Sequence, residues 1–435
     1  MMKKRHLLVA AFLLTANAAW AADPSADTQL IKRGEYLSRA GDCIACHTAT
    51  GGKPYAGGLG IASPLGTIYS TNITPDKKTG IGTYTLEDFD RALRQGIAKD
   101  GHSLYPAMPY TSFARVSPDD VKALYAYFMH GVAPVDQPNK ANGITWPLSM
   151  RWPLGVWRKM FAPTPVNTPA PAAADSGDAA MLRGKYLVEG LGHCSACHTA
   201  RGVALQEKAT SAAGGSDFLS GAVVDGWLAG NLRGDMADGL GSWSKADLVA
   251  FLKSGRNAHS AAFGGMSDVV AQSTQYLSDS DLNAIATYLK SLPPKNPSGN
   301  RPLAYNDTVG QATLAGHAAS IPGAMDFINN CAACHRVTGK GYPETFPGLA
   351  QNPVVNAADP QSVIHIILKG AQVPGTSAAP TRYTMPAFDW RLTDREVADI
   401  ATFVRGSWGN NAPAVTAGQV AKVRKEVGAA AAPSR

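Results

Sequence analysis

Cys43-Ile44-Ala45-Cys46-His47, Cys194-Ser195-Ala196-Cys197-His198 and Cys331-Ala332-Ala333-Cys334-His335 together use all six cysteines of a 435-residue chain. Two thiols one helical turn apart can bond the two vinyl groups of a porphyrin, and the histidine that follows at once then points at the iron. Cys-x-x-Cys-His is the attachment signature of c-type haem. A redox dithiol or half of a zinc site would explain one Cys-x-x-Cys, but not three copies each followed by His. No cysteine is left for a disulfide. Three haem c groups are expected, held through Cys43, Cys46, Cys194, Cys197, Cys331 and Cys334, with His47, His198 and His335 as axial iron ligands.

Working outward, the repeats locate the sixth ligands. Gly80-Ile81-Gly82-Thr83-Tyr84-Thr85 and Leu93-Arg94-Gln95-Gly96 parallel Gly239-Leu240-Gly241-Ser242-Trp243-Ser244 and Leu252-Lys253-Ser254-Gly255. A His-Ser pair follows each, His102-Ser103 and His259-Ser260, and then a methionine, Met108 and Met266. In the third unit Met385 follows Leu368-Lys369-Gly370. Met108 and Met385 precede proline. Met266 precedes Ser267, so Met236 and His259 stand as alternatives to it. His102 and His259 are expected to bond loop backbone or haem propionates. His/Met ligation would raise the potential and leave no open iron position.

Ser117-Pro118-Asp119-Asp120, Ser278-Asp279-Ser280-Asp281 and Thr393-Asp394-Arg395-Glu396 follow the methionines as helix starts of the form [ST]-x-x-[DE]. The helices carry apolar residues at identical offsets: Val121, Leu124, Tyr127, Phe128; Leu282, Ile285, Tyr288, Leu289; Val397, Ile400, Phe403, Val404. Upstream, Arg33-Gly34-Glu35-Tyr36-Leu37 and Arg183-Gly184-Lys185-Tyr186-Leu187 open two units, and the small Gly34 and Gly184 would let one helix approach another closely. Each unit reads helix, haem motif, loops, methionine, helix.

The length predicts roughly three domains. Residues 22–161 form the first, with a Trp-rich extension; 162–178 are a Pro/Ala-rich linker; 179–292 form the second. A shorter break, 293–309, precedes the third at 310–409, and 410–435 are a tail with a short helix around Val420 to Val427. Met1–Ala21 reads as an export signal, with Lys3, Lys4 and Arg5, an apolar run Leu7–Leu14 and Ala19-Trp20-Ala21 as the cleavage site. The formal charge of +7 invites a nucleic-acid reading. Loss of the three signal cations takes it to +4, and three ferric haems at −1 each take it to +1, so no nucleic-acid partner is expected. Ile144–Phe161 places Trp146, Trp152, Trp157 and Phe161 beside Arg151, Arg158 and Lys159. That composition suits either a membrane interface or a strap across the first and second domains.

Gly41-Asp42-Cys43 through Gly52, Ser70-Thr71-Asn72-Ile73-Thr74-Pro75-Asp76, Tyr105-Pro106-Ala107-Met108-Pro109 and Met385-Pro386-Ala387-Phe388 resemble the tri-haem cytochrome c subunit of bacterial membrane-bound alcohol, gluconate and sugar dehydrogenases. The resemblance covers nearly the whole mature chain. It implies a mainly α fold of three tandem class I cytochrome c domains joined by Pro/Ala-rich linkers. It also implies electron transfer from a separate flavoprotein or quinoprotein dehydrogenase subunit to ubiquinone at the periplasmic face of the cytoplasmic membrane, and leaves room for a small third subunit. No catalytic residue of the chain's own is expected. Alternatives are service to a molybdenum hydroxylase or terminal oxidase, a free periplasmic shuttle, or a peroxidase if Met266 leaves the second iron open. Each proximal histidine is expected to give its other N–H to a backbone carbonyl, with that of Pro347 as candidate in the third unit.

Overall fold

The computed structural model describes residues 24–174, 176–298 and 300–430. The export signal expected over Met1–Ala21 lies outside them. The chain is mainly α, with short antiparallel hairpins between the helices. Three helix pairs organise it. In the first unit the amino-terminal helix Pro24–Ala40 crosses Pro118–Ala126, in the second Gly177–Tyr186 crosses Asp279–Ser291, and in the third Ala324–Asn330 crosses Asp394–Gly406.

Each crossing is made at a glycine. A Cβ on Gly34 would lie 2.0 Å from the Ala123 carbonyl oxygen, and one on Gly184 would lie 2.0 Å from that of Ala284. In the third unit Gly323 takes this place, 2.5 Å from the Asp399 oxygen. Tyr127, Tyr288 and Phe403 stand at the same crossings one turn further along. The apolar residues expected on the three carboxy-terminal helices are all buried.

Ser117, Ser278 and Thr393 cap these helices, each accepting a hydrogen bond from the backbone N–H three residues on. Only Glu396 completes the reciprocal capping box. Asp120 and Asp281 turn to other partners. Arg33 Nε donates to Asp120 at 2.9 Å, and Arg183 donates to Asp281 through two nitrogens at 2.8 Å each. The tyrosines exchange domains: Tyr186 of the second unit donates to Asp120, and Tyr36 of the first donates to Asp281, each at 2.6 Å. The backbone N–H groups of Ser117 and Ser278 in turn donate to the same tyrosine hydroxyls at 3.2 Å. The first two units are thus related by a local two-fold and share one continuous core, into which Leu37, Val188 and Leu191 pack together.

The third unit has its own core. Its core extends past residue 409, because the helix Ala417–Ala430 buries Val420, Val423 and Val427 against it. The tail's helix is longer than its weak sequence pattern suggests, since docking rather than propensity stabilises it. The Pro/Ala-rich segment after Phe161 is extended but tethered. Val166 N–H donates to the Ala114 carbonyl at 2.8 Å, and Arg94 donates to the Val166 carbonyl at 2.7 Å.

The extension is a strap on its inner side. In the helix Trp152–Phe161, Trp157 donates from Nε1 to the Ala204 carbonyl of the second unit at 2.8 Å and meets Tyr110 of the first edge-on. Among the described residues no helix is long and apolar enough to cross a membrane.

Burial alone would raise the Asp281 carboxyl, but its bonds from Arg183 and Tyr36 outweigh that and hold it below the usual value. The stabilisation is therefore complete above the unfolded carboxylate range of about 3.9 and disappears as pH falls through the lower folded value. Asp281→Asn leaves Arg183 buried without a counter-charge and should cost about 3–5 kcal/mol. Calorimetry of the full chain should show a lowered first transition for the variant and a loss of its difference from wild type in strong acid; equal transitions at neutral pH would refute this.

Candidate haem-binding sites

Each Cys-x-x-Cys-His motif forms a single helical turn that follows the unit's first helix. The turns span Cys43–Cys46, Ser195–His198 and Ala332–His335. The backbone N–H of each histidine donates to the carbonyl of its first cysteine, at 2.9, 3.0 and 3.0 Å. The second unit has one more residue between its glycine crossing and its motif than the first. A π-helical turn, Leu187–Leu191, accommodates it without shifting the rest.

The three imidazoles are held alike. His47 Nδ1 lies 2.7 Å from the Thr71 carbonyl oxygen, His198 Nδ1 lies 2.7 Å from that of Gly230, and His335 Nδ1 lies 3.0 Å from that of Pro347. A carbonyl only accepts, so Nδ1 carries the proton and Nε2 keeps its lone pair. Burial lowers the pKa of all three rings, against the opposing effect of these hydrogen bonds, and so favours the neutral imidazole that can ligate iron. Among the described residues no side chain or backbone group pairs with any of the three Nε2 atoms. The Pro347 carbonyl expected from the sequence is the observed acceptor.

Thr71 and Gly230 do not stand out in the sequence as acceptors, although the repeat carries a signal for them. Each precedes an asparagine, in Thr71-Asn72-Ile73-Thr74 and Gly230-Asn231-Leu232-Arg233. Asn72 accepts from Thr74 N–H and Asn231 from Arg233 N–H, each at 2.9 Å, folding the loop so that the preceding carbonyl faces the histidine. Both asparagines are buried.

The cysteine thiols are un-ionised. Burial pushes Cys43, Cys194 and Cys331 each up to about 12. Burial, the neighbouring Asp42 and then Cys197 across the interface push Cys46 up to about 11. The second cysteines of the first two motifs therefore face each other, with Asp225 beside both. Asp42, at φ 49°, is buried with Oδ1 unpartnered, and burial followed by Asp268 raises it to about 8.

The methionines sit in three different settings. Met108 ends a turn closed by its N–H to the Tyr105 carbonyl at 3.1 Å and packs on the shared core. Met385 lies on a two-residue strand paired with Ala371 and packs on the third core. Met266 opens the helix Gly265–Gln272, which packs on the first unit's Cys43–Cys46 turn. That interdomain helix explains the missing proline: the segment after Met266 continues as helix. Of the alternatives, His259 is engaged by Asp247 at 3.3 Å and stacked on Trp243, and Met236 sits against Gly241 within its own loop. His102 likewise bonds Asp100. Both histidines take carboxylate partners rather than the loop backbone or propionates expected, because an acid lies within reach of each ring.

A histidine tied at Nδ1, one residue after the second of two cysteines on a helical turn, is the protein half of a covalent haem site. The fold and these sites define a multidomain c-type haem protein. The cytochrome c family matches residues 31–131, 181–293 and 322–408, and the chain belongs to that family. It is 56% identical over 423 residues to the gluconate 2-dehydrogenase cytochrome c subunit of Pantoea cypripedii, covering 96% of this chain and 95% of that protein. It is 54% identical over 428 residues to the alcohol dehydrogenase (quinone) cytochrome c subunit of Gluconobacter oxydans, covering 97% of this chain and 88% of that one. It is 39% identical over 439 residues to the fructose dehydrogenase cytochrome subunit of Gluconobacter japonicus, covering 96% and 87%. Cytochrome c domains carry covalently bound haem c.

With Met266 as the second unit's ligand, the reduced wild-type protein should bind no carbon monoxide. Met266→Ala should open one iron per chain to it, while Met236→Ala should not. Carbon monoxide difference spectra check this, and opening by Met236→Ala alone would reassign the ligand.

Proposed function

We propose that the chain carries three haem c groups and passes single electrons from a catalytic dehydrogenase subunit, a flavoprotein or quinoprotein oxidising an alcohol, gluconate or a sugar, to membrane ubiquinone. The observation that carries this reading is three histidines, each tethered to a carbonyl beside its cysteine pair, in a chain similar over nearly its full length to cytochrome c subunits of dehydrogenases. When bound, each haem supplies reversible one-electron exchange at iron. The residues do the rest. Cys43, Cys46, Cys194, Cys197, Cys331 and Cys334 fix the groups by thioether bonds. His47, His198 and His335 offer Nε2 to iron, oriented by Thr71, Gly230 and Pro347. Met108, Met266 and Met385 would fill the sixth positions, which raises the potentials and excludes small ligands.

The expected export signal supports placing the mature chain at the periplasmic face of the cytoplasmic membrane, where a small third subunit can also join the complex. Similarity to a nicotinate dehydrogenase subunit of Pseudomonas putida, 38% over 405 residues, supports service to a hydroxylase as a second reading. The gluconate and alcohol relatives, at 56% and 54%, favour the first.

Membranes expressing the chain with its partner dehydrogenase should show haem absorbance reduced on adding the partner's substrate and reoxidised by a short-chain ubiquinone. Haems that stay oxidised under substrate, or reduced under quinone, would contradict the reading.

A further inference from the structure

A surface helix ordinarily turns its polar side to water. The helix Trp152–Phe161 does the opposite. Its inner side, with Trp157, serves the strap already described. Its outer side carries Trp152, Val156 and Met160 at four-residue spacing, 69%, 50% and 68% exposed. The preceding loop adds Trp146, 80% exposed, with Leu148 and Met150. Strapping two domains together explains the inner side and leaves this outer one without a role. Elsewhere exposed apolar residues such as Val203, Leu314 and Trp390 are far apart in sequence and belong to different units.

We propose that this outer face is a membrane-docking element that inserts into the interfacial layer of an anionic bilayer. Three observations favour lipid over a protein partner. First, no carboxylate occurs between Asp136 and Asp175, while Lys140, Arg151, Arg158 and Lys159 all fall in that stretch. A basic rim around an apolar face complements anionic headgroups. Second, a protein interface carries about one hydrogen bond per 100–200 Å², yet the outer face offers little beyond the indole N–H groups of Trp146 and Trp152. Neither has a partner among the described residues, and an indole sits well where one end is wet and the other apolar. Third, among the described residues no helix can span a bilayer, so a chain that delivers electrons to a lipid-soluble quinone needs a surface that rests on the membrane. That last argument rests on the function proposed above.

The element also sets which domain meets the membrane. The Arg151 guanidinium lies 4.0 Å over the Tyr105 ring and donates to the Ser103 carbonyl at 3.3 Å, and Trp157 meets Tyr110. These contacts clamp both ends of the segment that holds Met108. Docking therefore brings the first unit's methionine loop to the bilayer.

The test is co-sedimentation of the full-length haem-loaded protein with large vesicles of phosphatidylcholine alone or with phosphatidylglycerol. Wild type should bind the anionic vesicles, less tightly at high salt. Trp152→Glu/Val156→Glu/Met160→Glu should weaken binding at least about tenfold, since each charge opposes insertion, while Trp390→Ala should leave it unchanged. The milder pair Trp146→Ser/Trp152→Ser gives the same comparison if the triple variant loses its haem spectrum. Failure of wild type to bind, or binding by the variants equal to wild type, overturns the proposal. So does a variant that keeps vesicle binding but no longer co-purifies with the dehydrogenase, which would assign the face to that protein. Haem reduction by the dehydrogenase is followed in parallel. Lost reduction with vesicle binding intact would fault the electron-transfer reading and leave this one standing.

Discussion

The close crossing of two helices at a single glycine, made three times, is the constraint on which the molecule depends. Gly34, Gly184 and Gly323 each admit a backbone carbonyl of the carboxy-terminal helix where a side chain would collide with it. Each glycine lies eight to ten residues ahead of a first cysteine, so the crossing fixes where the haem-binding turn begins relative to the helix at its back. With the first helix pinned, the turn that follows needs only one long-range bond, histidine Nδ1 to a loop carbonyl, to orient the imidazole. The carbonyl comes from three unlike residues, Thr71, Gly230 and Pro347, because only backbone geometry is required of them.

The first two units use the same constraint to build something the third does not. Asp120 and Asp281 are at once helix-start residues, counter-charges to Arg33 and Arg183, and acceptors for a tyrosine of the opposite unit. A buried carboxylate satisfied from both domains makes the pairing specific, since separation would leave a charge and a hydroxyl unpaired at both places. The same packing faces Cys46 toward Cys197 and sets the Met266 helix on the first motif. The third unit has Glu396 at the equivalent place, engaged with its own cap Thr393, and stands on a separate core closed by the carboxy-terminal helix.

Local devices are legible in the amino-acid order, and long-range ones only where chemistry repeats. The motifs, the three capped helices and their buried faces, the value of Gly34 and Gly184, and the Pro347 acceptor can be read because each depends on residues close in sequence or on a periodic pattern. Gly323 escapes such a reading because its helix lacks the Arg-Gly-x-Tyr-Leu frame of the other two. The exchanged tyrosines escape it as well, since a capping acid looks the same whether its carboxylate returns to its own cap or reaches another domain. Strap and membrane face stand as alternatives in the composition of Ile144–Phe161, yet one helix has two sides, and composition does not separate them. Backbone or propionate partners are the expectation for His102 and His259, where the fold supplies carboxylates.

The protein is, on this account, a rigid holder for a series of one-electron carriers, with two sites locked face to face and a third on its own core. Intact-mass measurement of the protein purified from membranes tests this most directly. The account predicts one species with the mass of residues Ala22–Arg435 plus three covalently attached haems. A chain carrying two haems or fewer, or one retaining Met1–Ala21, would contradict it.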